Sequence, residues 1–339
     1  MIVPVNGRHG FYLASLFVML FVATNFVNKF VLSVLKFTYP TIFQGWQTVV
    51  GAIMIKILIS AGIMDPITSN LTRSDIALWL PGMMLFVVSI YSGSKALASL
   101  SIPVYFAQQN LILVFRQIAV MSINKQITSI FNYIMLMIVV ISCVAVIQTD
   151  PYFNSEGYFW VCVHLISTGL IEIYTQLINT KLKLSIYERL YSCYIYSVIV
   201  LAPSSYFLGD ALEAQKFPYL YFTKFYVGCL MSGVFGLCLN LCAIRLQDLQ
   251  LKVLDLNSLV ILSKILGSAL SLVIFKTFLT GSHALWLLVN LLCSLAICDP
   301  NFDNSSPNII SLGDLPKPKI PGLQLHSMQQ DMLKIEIRK

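Results

Sequence analysis

Acid is what this chain is short of. Charged residues make up 11% of its 339, Lys and Arg outnumber Asp and Glu by 22 to 15, and Glu172 is the only acid well inside an apolar run. Soluble domains carry about 25% charged residues, so a globular cytosolic protein is excluded. One buried acid leaves no carboxylate pair for acid–base chemistry, and no activated nucleophile stands out, so the chain is not read as an enzyme. A glycine-rich phosphate loop and a metalloprotease helix motif are both lacking. The eight Cys have no CxxC or Cys/His spacing suited to a metal and the four His are scattered, so no metal or cofactor is expected. The Cys all fall in apolar runs, where they suit packing rather than redox chemistry.

What is present is hydrophobic length. The chain is 57% apolar with a mean hydropathy of +0.79, and its apolar runs recur from end to end, which predicts an all-α membrane protein crossing the bilayer many times. About 20 apolar residues cross as a helix, and the runs resolve into ten spans near 11–34, 41–64, 76–97, 103–123, 127–149, 157–180, 186–208, 220–246, 253–278 and 282–299. Pro40, Pro66, Pro103, Pro151 and Pro218 sit near predicted ends, where a missing N–H does least harm; Pro81 and Pro203 fall within spans. The first run continues through Asn25, Asn28 and Lys29 without a small-residue cleavage site, so it reads as an uncleaved span.

An even number of spans puts both termini on one side. That side holds Arg8, Arg73, Lys125, Lys181, Lys183, Arg189, Arg245, Lys252 and the tail's Lys317, Lys319, Lys334, Arg338 and Lys339, against Lys36, Lys95, Lys216, Lys224 and Lys276 opposite, which predicts cytosolic termini. The net charge of +7 therefore comes largely from loops and tail and does not point to nucleic acid. Residues 300–339, rich in Asn, Ser, Pro and Asp before a basic end, read as a disordered cytosolic tail after a transporter domain at 11–299.

Five charged residues lie inside the spans: Lys29, Lys56, Arg116, Glu172 and Lys264. A charge at mid-helix costs about 2.5–3.5 kcal/mol on insertion scales, so it faces a partner or a watery cavity. Four positive charges to one negative point to a cargo that is an anion. Ten spans divide into halves of five, about 11–149 and 157–299, that would enter from opposite sides as a 5+5 inverted repeat, with a site at mid-depth between them. The fourth and ninth spans are then counterparts. Tyr105, Gln109 and Asn110 lie deep in the fourth; in the ninth, Asn257, Lys264, Ser268 and Ser271 share one face beside Gly267. That stripe suits an anionic ligand, or else a helix–helix interface in which Lys264 pairs with Glu172. Lys29 serves a site or snorkels, Lys56 snorkels, and Arg116 pairs with Glu172 or reaches the interface. Tyr187, Tyr191 and Tyr194 share a face of the seventh span, and Gly228, Ser232, Gly236 and Asn240 form a small-residue seam in the eighth.

Several stretches resemble a known family: Asn28-Lys29 within NKFVLSVLKFTYPTIFQGWQTVVG, KALASLSIPVYFAQQN at 95–110, GYFW at 157–160, and Ser263-Lys264. They look like the nucleotide-sugar transporter branch of the drug/metabolite transporter superfamily, near the Golgi GDP-mannose transporters. The resemblance covers about residues 11–299 and implies ten helices in an inverted repeat, cytosolic termini, a Golgi membrane, and exchange of a nucleotide sugar for its nucleoside monophosphate. The ninth-helix Gly-Ala-Leu-Asn-Lys motif of the GDP-mannose transporters falls on Val260-Ile261-Leu262-Ser263-Lys264, keeping the Lys. Their seventh-helix Phe-Tyr-Asn-Asn falls on Leu190-Tyr191-Ser192-Cys193, and a fourth-helix Tyr-x-x-x-Lys on Tyr105 and Gln109. Buried polar groups that read one base discriminate strongly against another, so the lost Asn residues argue against guanine. The first stretch is nearest an orphan vertebrate group of the branch, which implies a UDP-sugar, UDP-N-acetylglucosamine first and GDP-mannose second.

The resemblance then implies an antiporter of UDP-N-acetylglucosamine and UMP. Lys264 would hold the diphosphate, Tyr191, Ser192 and Cys193 the base, and Asn28, Tyr105, Gln109 and Asn110 the phosphate or sugar, with Ser263 and Asn257 also counted among the substrate-binding residues. A homodimer is compatible with this reading. Another organic-phosphate carrier of the same fold and a non-transporting scaffold are the alternatives. The predicted topology keeps the sequons at Asn70 and Asn304 on the cytosolic side, so both should be unglycosylated in a native membrane; endoglycosidase-sensitive mass on either would reverse the orientation.

Overall fold

A bilayer offers no partner for an unbonded N–H or C=O, so apolar runs that enter it must satisfy their backbone internally as helices. The computed structural model of the chain accordingly has only helices and turns among its described residues, which are 7–64, 73–123, 125, 129–179, 181–249 and 256–297. The expected tail and both sequons lie outside them. The elements are α1 (Gly7–Lys29), which runs on into a π-helical turn at Phe30–Val34, α2 (Pro40–Ser60), α3 (Arg73–Ser99), α4 (Ile102–Gln109), α5 (Ile112–Ile123), α6 (Ile130–Thr149), α7 (Ser155–Ile178), α8 (Ile186–Phe207), α9 (Asp210–Ala214), α10 (Thr223–Leu249), α11 (Leu256–Ile274) and α12 (Gly281–Ala296).

Among the described residues, eight helices are long and apolar enough to cross a membrane: α1, α2, α3, α6, α7, α8, α10 and α11. Where a tenth span is expected stands α12, apolar but 16 residues long. The expected fourth span is not one helix but two, α4 of 8 residues and α5 of 12. Neither Gly nor Pro marks the break. Instead, Asn110 and Leu111 leave the helix, and the backbone tightens to i→i+3 bonds (Asn110 N–H to Ala107 O, 3.1 Å; Leu113 N–H to Asn110 O, 3.1 Å). Asn is a weak helix former because its side chain competes for polar partners; here its carboxamide is committed to α11 and α12.

Helix starts follow local chemistry. Ser185 and Glu188 form a capping box on α8, Asn154 accepts from Gly157 N–H at the start of α7, and Pro follows the N-cap of α2 and α4 within two residues. The main pairings are α3 with α7, α1 with α10, α6 with α12, and α2 with α8. Glycine allows close approach in two helix pairs: the Phe115 ring of α5 lies against Gly169 of α7, and the Tyr194 ring of α8 against Gly51 of α2. A methyl on Gly169 would sit 2.3 Å from Phe115 Cγ. Gly169→Ala should therefore destabilise the protein by about 1–3 kcal/mol, as overpacking does, seen as a lowered Tm that Phe115→Leu partly restores; an unchanged Tm would show that α5 and α7 do not pack this way.

Candidate functional site

The five intramembrane charges take four different environments. Lys56 is exposed near the end of α2, the position of a snorkelling side chain. Lys29 is buried and its Nζ donates to Leu97 O (2.8 Å), Ala98 O (3.3 Å) and Leu100 O (2.7 Å). Those are the orphan carbonyls at the C-terminus of α3, where the helix dipole favours a cation, so Lys29 is a cap. Arg116 Nε donates to Glu172 Oε1 at 3.0 Å, the only salt bridge among the described residues. Lys264 is thus not the partner of Glu172.

Lys264 is 6% exposed, and its Nζ donates to a neutral acceptor, Asn110 Oδ1, at 2.8 Å. The carboxamide continues a chain: Asn110 Nδ2 donates to Asn290 Oδ1 (2.9 Å), and Asn290 Nδ2 to Ser142 Oγ (2.9 Å) and weakly to Cys143 Sγ (3.1 Å). One network thereby ties the break between α4 and α5 to α6, α11 and α12. The interior face of α11 also carries Gly267, Ser268 and Ser271. Ser268 Oγ, one turn from Lys264, is buried with no hydrogen-bond partner among the described residues. A cation and a hydroxyl are left with spare donor capacity.

Tyr105 and Gln109, on α4, converge on His164 of α7, which sequence reasoning did not single out. His164 Nδ1 lies 2.9 Å from Ser89 O, an acceptor only, so Nδ1 carries the proton and Nε2 accepts. Tyr105 O–H (3.4 Å) and Gln109 Nε2 (3.3 Å) both point at Nε2, and the two rings stack at 5.9 Å. Ser89 Oγ and Thr168 Oγ1, 2.8 Å apart, extend the cluster. A signal was available: His164, Thr168, Glu172 and Gln176 recur every four residues, one ridge of α7.

The other residues proposed from sequence separate. Asn28 Oδ1 accepts from Gln47 Nε2 (3.0 Å) and from Ser232 O–H, joining α1, α2 and α10. Asn240 Nδ2 donates to Tyr194 Oη at 3.0 Å. Between Ser232 and Asn240 on the same face, a methyl on Gly236 would meet nothing within 4 Å, so the seam opens into a gap between two interior contacts. Tyr191, half-buried, packs beside Tyr194 and Leu237 near that gap. Ser192 and Ser263 instead turn to carbonyls of their own helices, Glu188 O and Leu259 O. Cys193 is packed with Trp79, Met83 and Leu182. Asn257 is in the first turn of α11, about 10 Å from Lys264 at 1.5 Å per residue. The structure therefore joins Lys264 to Asn110, gathers Tyr105 and Gln109 separately on His164, and leaves Asn28 and Tyr191 beside the α10 gap.

A helical membrane protein with a buried, uncompensated cation at a broken helix is the class that this fold and site define. No family model matches the chain. It is 38% identical over 277 residues to a Xenopus laevis protein described as UDP-N-acetylglucosamine transporter TMEM241 homolog, covering 79% of this chain and 89% of that one. It is 35% identical over 260 residues to UDP-N-acetylglucosamine transporter TMEM241 of Mus musculus, covering 77% and 86%. A GDP-mannose transporter of Chaetomium globosum is 25% identical over 240 residues, covering 64% and 60%. The chain belongs to the TMEM241 family, in the nucleotide-sugar transporter branch of the drug/metabolite transporter superfamily.

The two buried lysines should separate in stability. Lys29→Met strips three carbonyls of a charged donor, each such bond being worth about 1.5–3 kcal/mol, and should lower the Tm in detergent. Lys264→Met removes a buried cation that lacks a counter-charge and strips only one acceptor, Asn110 Oδ1, of its donor, and should lower the Tm clearly less than Lys29→Met does. Equal losses in both would mean that Lys264 is structural.

Proposed function

We propose that the protein exchanges UDP-N-acetylglucosamine for UMP across the Golgi membrane, importing the nucleotide sugar into the lumen. The observation that carries this reading is Lys264: an ammonium buried on a neutral amide, 2.8 Å from Asn110 Oδ1, with no acid bonded to it among the described residues. A diphosphate is the counter-charge such a site lacks. The UDP-sugar is supported by the names of the two TMEM241 relatives at 38% and 35% identity, and by the absence here of the Asn pair of the GDP-mannose transporters' seventh helix. GDP-mannose transporters themselves match at 25% and 26%.

The inverted repeat of two five-span halves is supported by which helices touch. Count α4 with α5 as the fourth span and α12 as the tenth, and exchange each span for the one five places on. The α3–α7 contact then becomes α10–α1, α5–α7 becomes α11–α1, and α3–α8 becomes α10–α2, while α2–α8, α6–α12 and α4–α11 map onto themselves; all of these pairs are in contact. The site at α4–α11 lies on that two-fold relation, where rocking of the halves would expose it alternately to either side. With both termini cytosolic, Lys29 and the Asn28–Gln47–Ser232 cluster close the lumenal half. Nucleotide sugar and monophosphate each carry about two negative charges at neutral pH, so one-for-one exchange moves little net charge.

Proteoliposomes loaded with UMP should take up labelled UDP-N-acetylglucosamine, and those loaded with GMP or inorganic phosphate should not. Lys264→Ala should reduce exchange by at least the order of 10²-fold, and Gly236→Phe, which fills the α10 gap, should block it at unchanged Tm. Full exchange by Lys264→Ala, or equal exchange with GMP, would overturn the assignment.

A further inference from the structure

Arg116 and Glu172 stand apart from the Lys264 network. Arg116 is six residues beyond Asn110 on α5, and Glu172 six residues short of the end of α7 at Ile178. At 1.5 Å per residue, the pair lies about 9 Å from the helix break and about 9 Å from the end of α7. At that depth both side chains are half-buried and keep partial access, 29% for Arg116 and 31% for Glu172. Charges within a spanning bundle face its interior, a partner or a water-filled cavity rather than lipid, and the part of this pair left open is where a cavity would reach it. Among the described residues the guanidinium makes one hydrogen bond, through Nε, which leaves its Nη fork for another acceptor. Finally, Gln176, one turn beyond Glu172 on the same ridge of α7, keeps a buried Oε1 with no donor among the described residues.

We propose that Arg116 and Glu172 form an exchangeable phosphate station on the watery path to Lys264. Resting on the nucleotide-sugar reading above, the proposal adds a second anion site that the buried lysine does not supply. Phosphate oxygens arriving from the water-filled side take the free Nη fork of Arg116, displace the Glu172 carboxylate from Nε, and pass inward to the ammonium of Lys264. A fork on a dianion is the stronger contact, since two parallel charge-assisted bonds replace one. Glu172 keeps Arg116 extended and paired while the path is empty, and competes with the cargo once it arrives. Gln176 Oε1 is placed to accept from a hydroxyl of that cargo.

A merely structural bridge between α5 and α7 gives opposite expectations. For the full chain in proteoliposomes, with UDP-N-acetylglucosamine as cargo, Arg116→Gln should raise KM about tenfold with Vmax little changed. Glu172→Gln should lower KM, because the competitor is gone, and the double variant should follow Arg116→Gln. Both single variants raising KM alike, or the reversed pair Arg116→Glu/Glu172→Arg restoring wild-type kinetics, would overturn the station. In case the neutral variants fail to insert, phenylglyoxal labelling of Arg116 in the wild-type protein, read by peptide mass, gives a second measurement. UDP should slow that labelling at least threefold, and labelling indifferent to UDP would overturn the proposal. A wild-type chain that exchanges no nucleotide sugar would instead remove the transport reading itself.

Discussion

The network joining α4, α6, α11 and α12 is arranged around an ammonium that has no counter-charge among the described residues. An isolated cation in a dry interior would lose its proton or be driven to pair, yet Lys264 is held by the dipole of one carboxamide, Asn110, itself anchored through Asn290 to Ser142. Glu172 is engaged with Arg116 rather than with Lys264. A neutral network that stiffens a lysine without neutralising it leaves the field of that charge available to a ligand. Were Glu172 bonded to Lys264 instead, the same fold would present a closed ion pair with nothing to offer an anion.

That constraint explains the helix break. An unbroken fourth span would direct the Asn110 side chain according to helical period alone; releasing Asn110 and Leu111 lets the carboxamide reach α11 and α12 together. Irregular backbone at depth is tolerated only inside the protein or beside water, and here it is surrounded by α6, α11 and α12. The small residues of α11 serve the same end, since Gly267 admits the Phe106 ring of α4 to 2.9 Å of where a Cβ would stand and so brings the two helices close. The contrast with Lys29 is instructive. Three carbonyls of one helix end satisfy that ammonium completely, and nothing remains for a ligand.

Much of this was legible from residue order. Apolar length marked the spanning helices, because bilayer thickness sets a length that a periodicity count can find. Rarity of charge marked Lys264, and depth along the run marked Tyr105, Gln109 and Asn110. Three things were hidden for physical reasons. The break at Asn110 has no Pro or Gly to announce it, since its cause is a tertiary contact. His164 was passed over because histidines were weighed as metal ligands, whereas its role comes from an i, i+4 polar ridge shared with Thr168, Glu172 and Gln176. Ser192, Cys193 and Ser263 were placed by position within motifs. Rotation about a helix, together with the habit of Ser hydroxyls of bonding the preceding turn, decides where such side chains point.

The central claim is that the buried ammonium is the electrostatic seat of a nucleotide. A ligand that binds only the folded state raises the apparent melting temperature by mass action, so a thermal-shift titration of purified wild-type and Lys264→Ala protein with UMP, UDP, UDP-N-acetylglucosamine, GMP and GDP-mannose is the direct test. Uridine nucleotides should raise the melting temperature of the wild type in a saturable way and leave that of Lys264→Ala where it was. Equal shifts in the two proteins, or none with any nucleotide, would contradict the account.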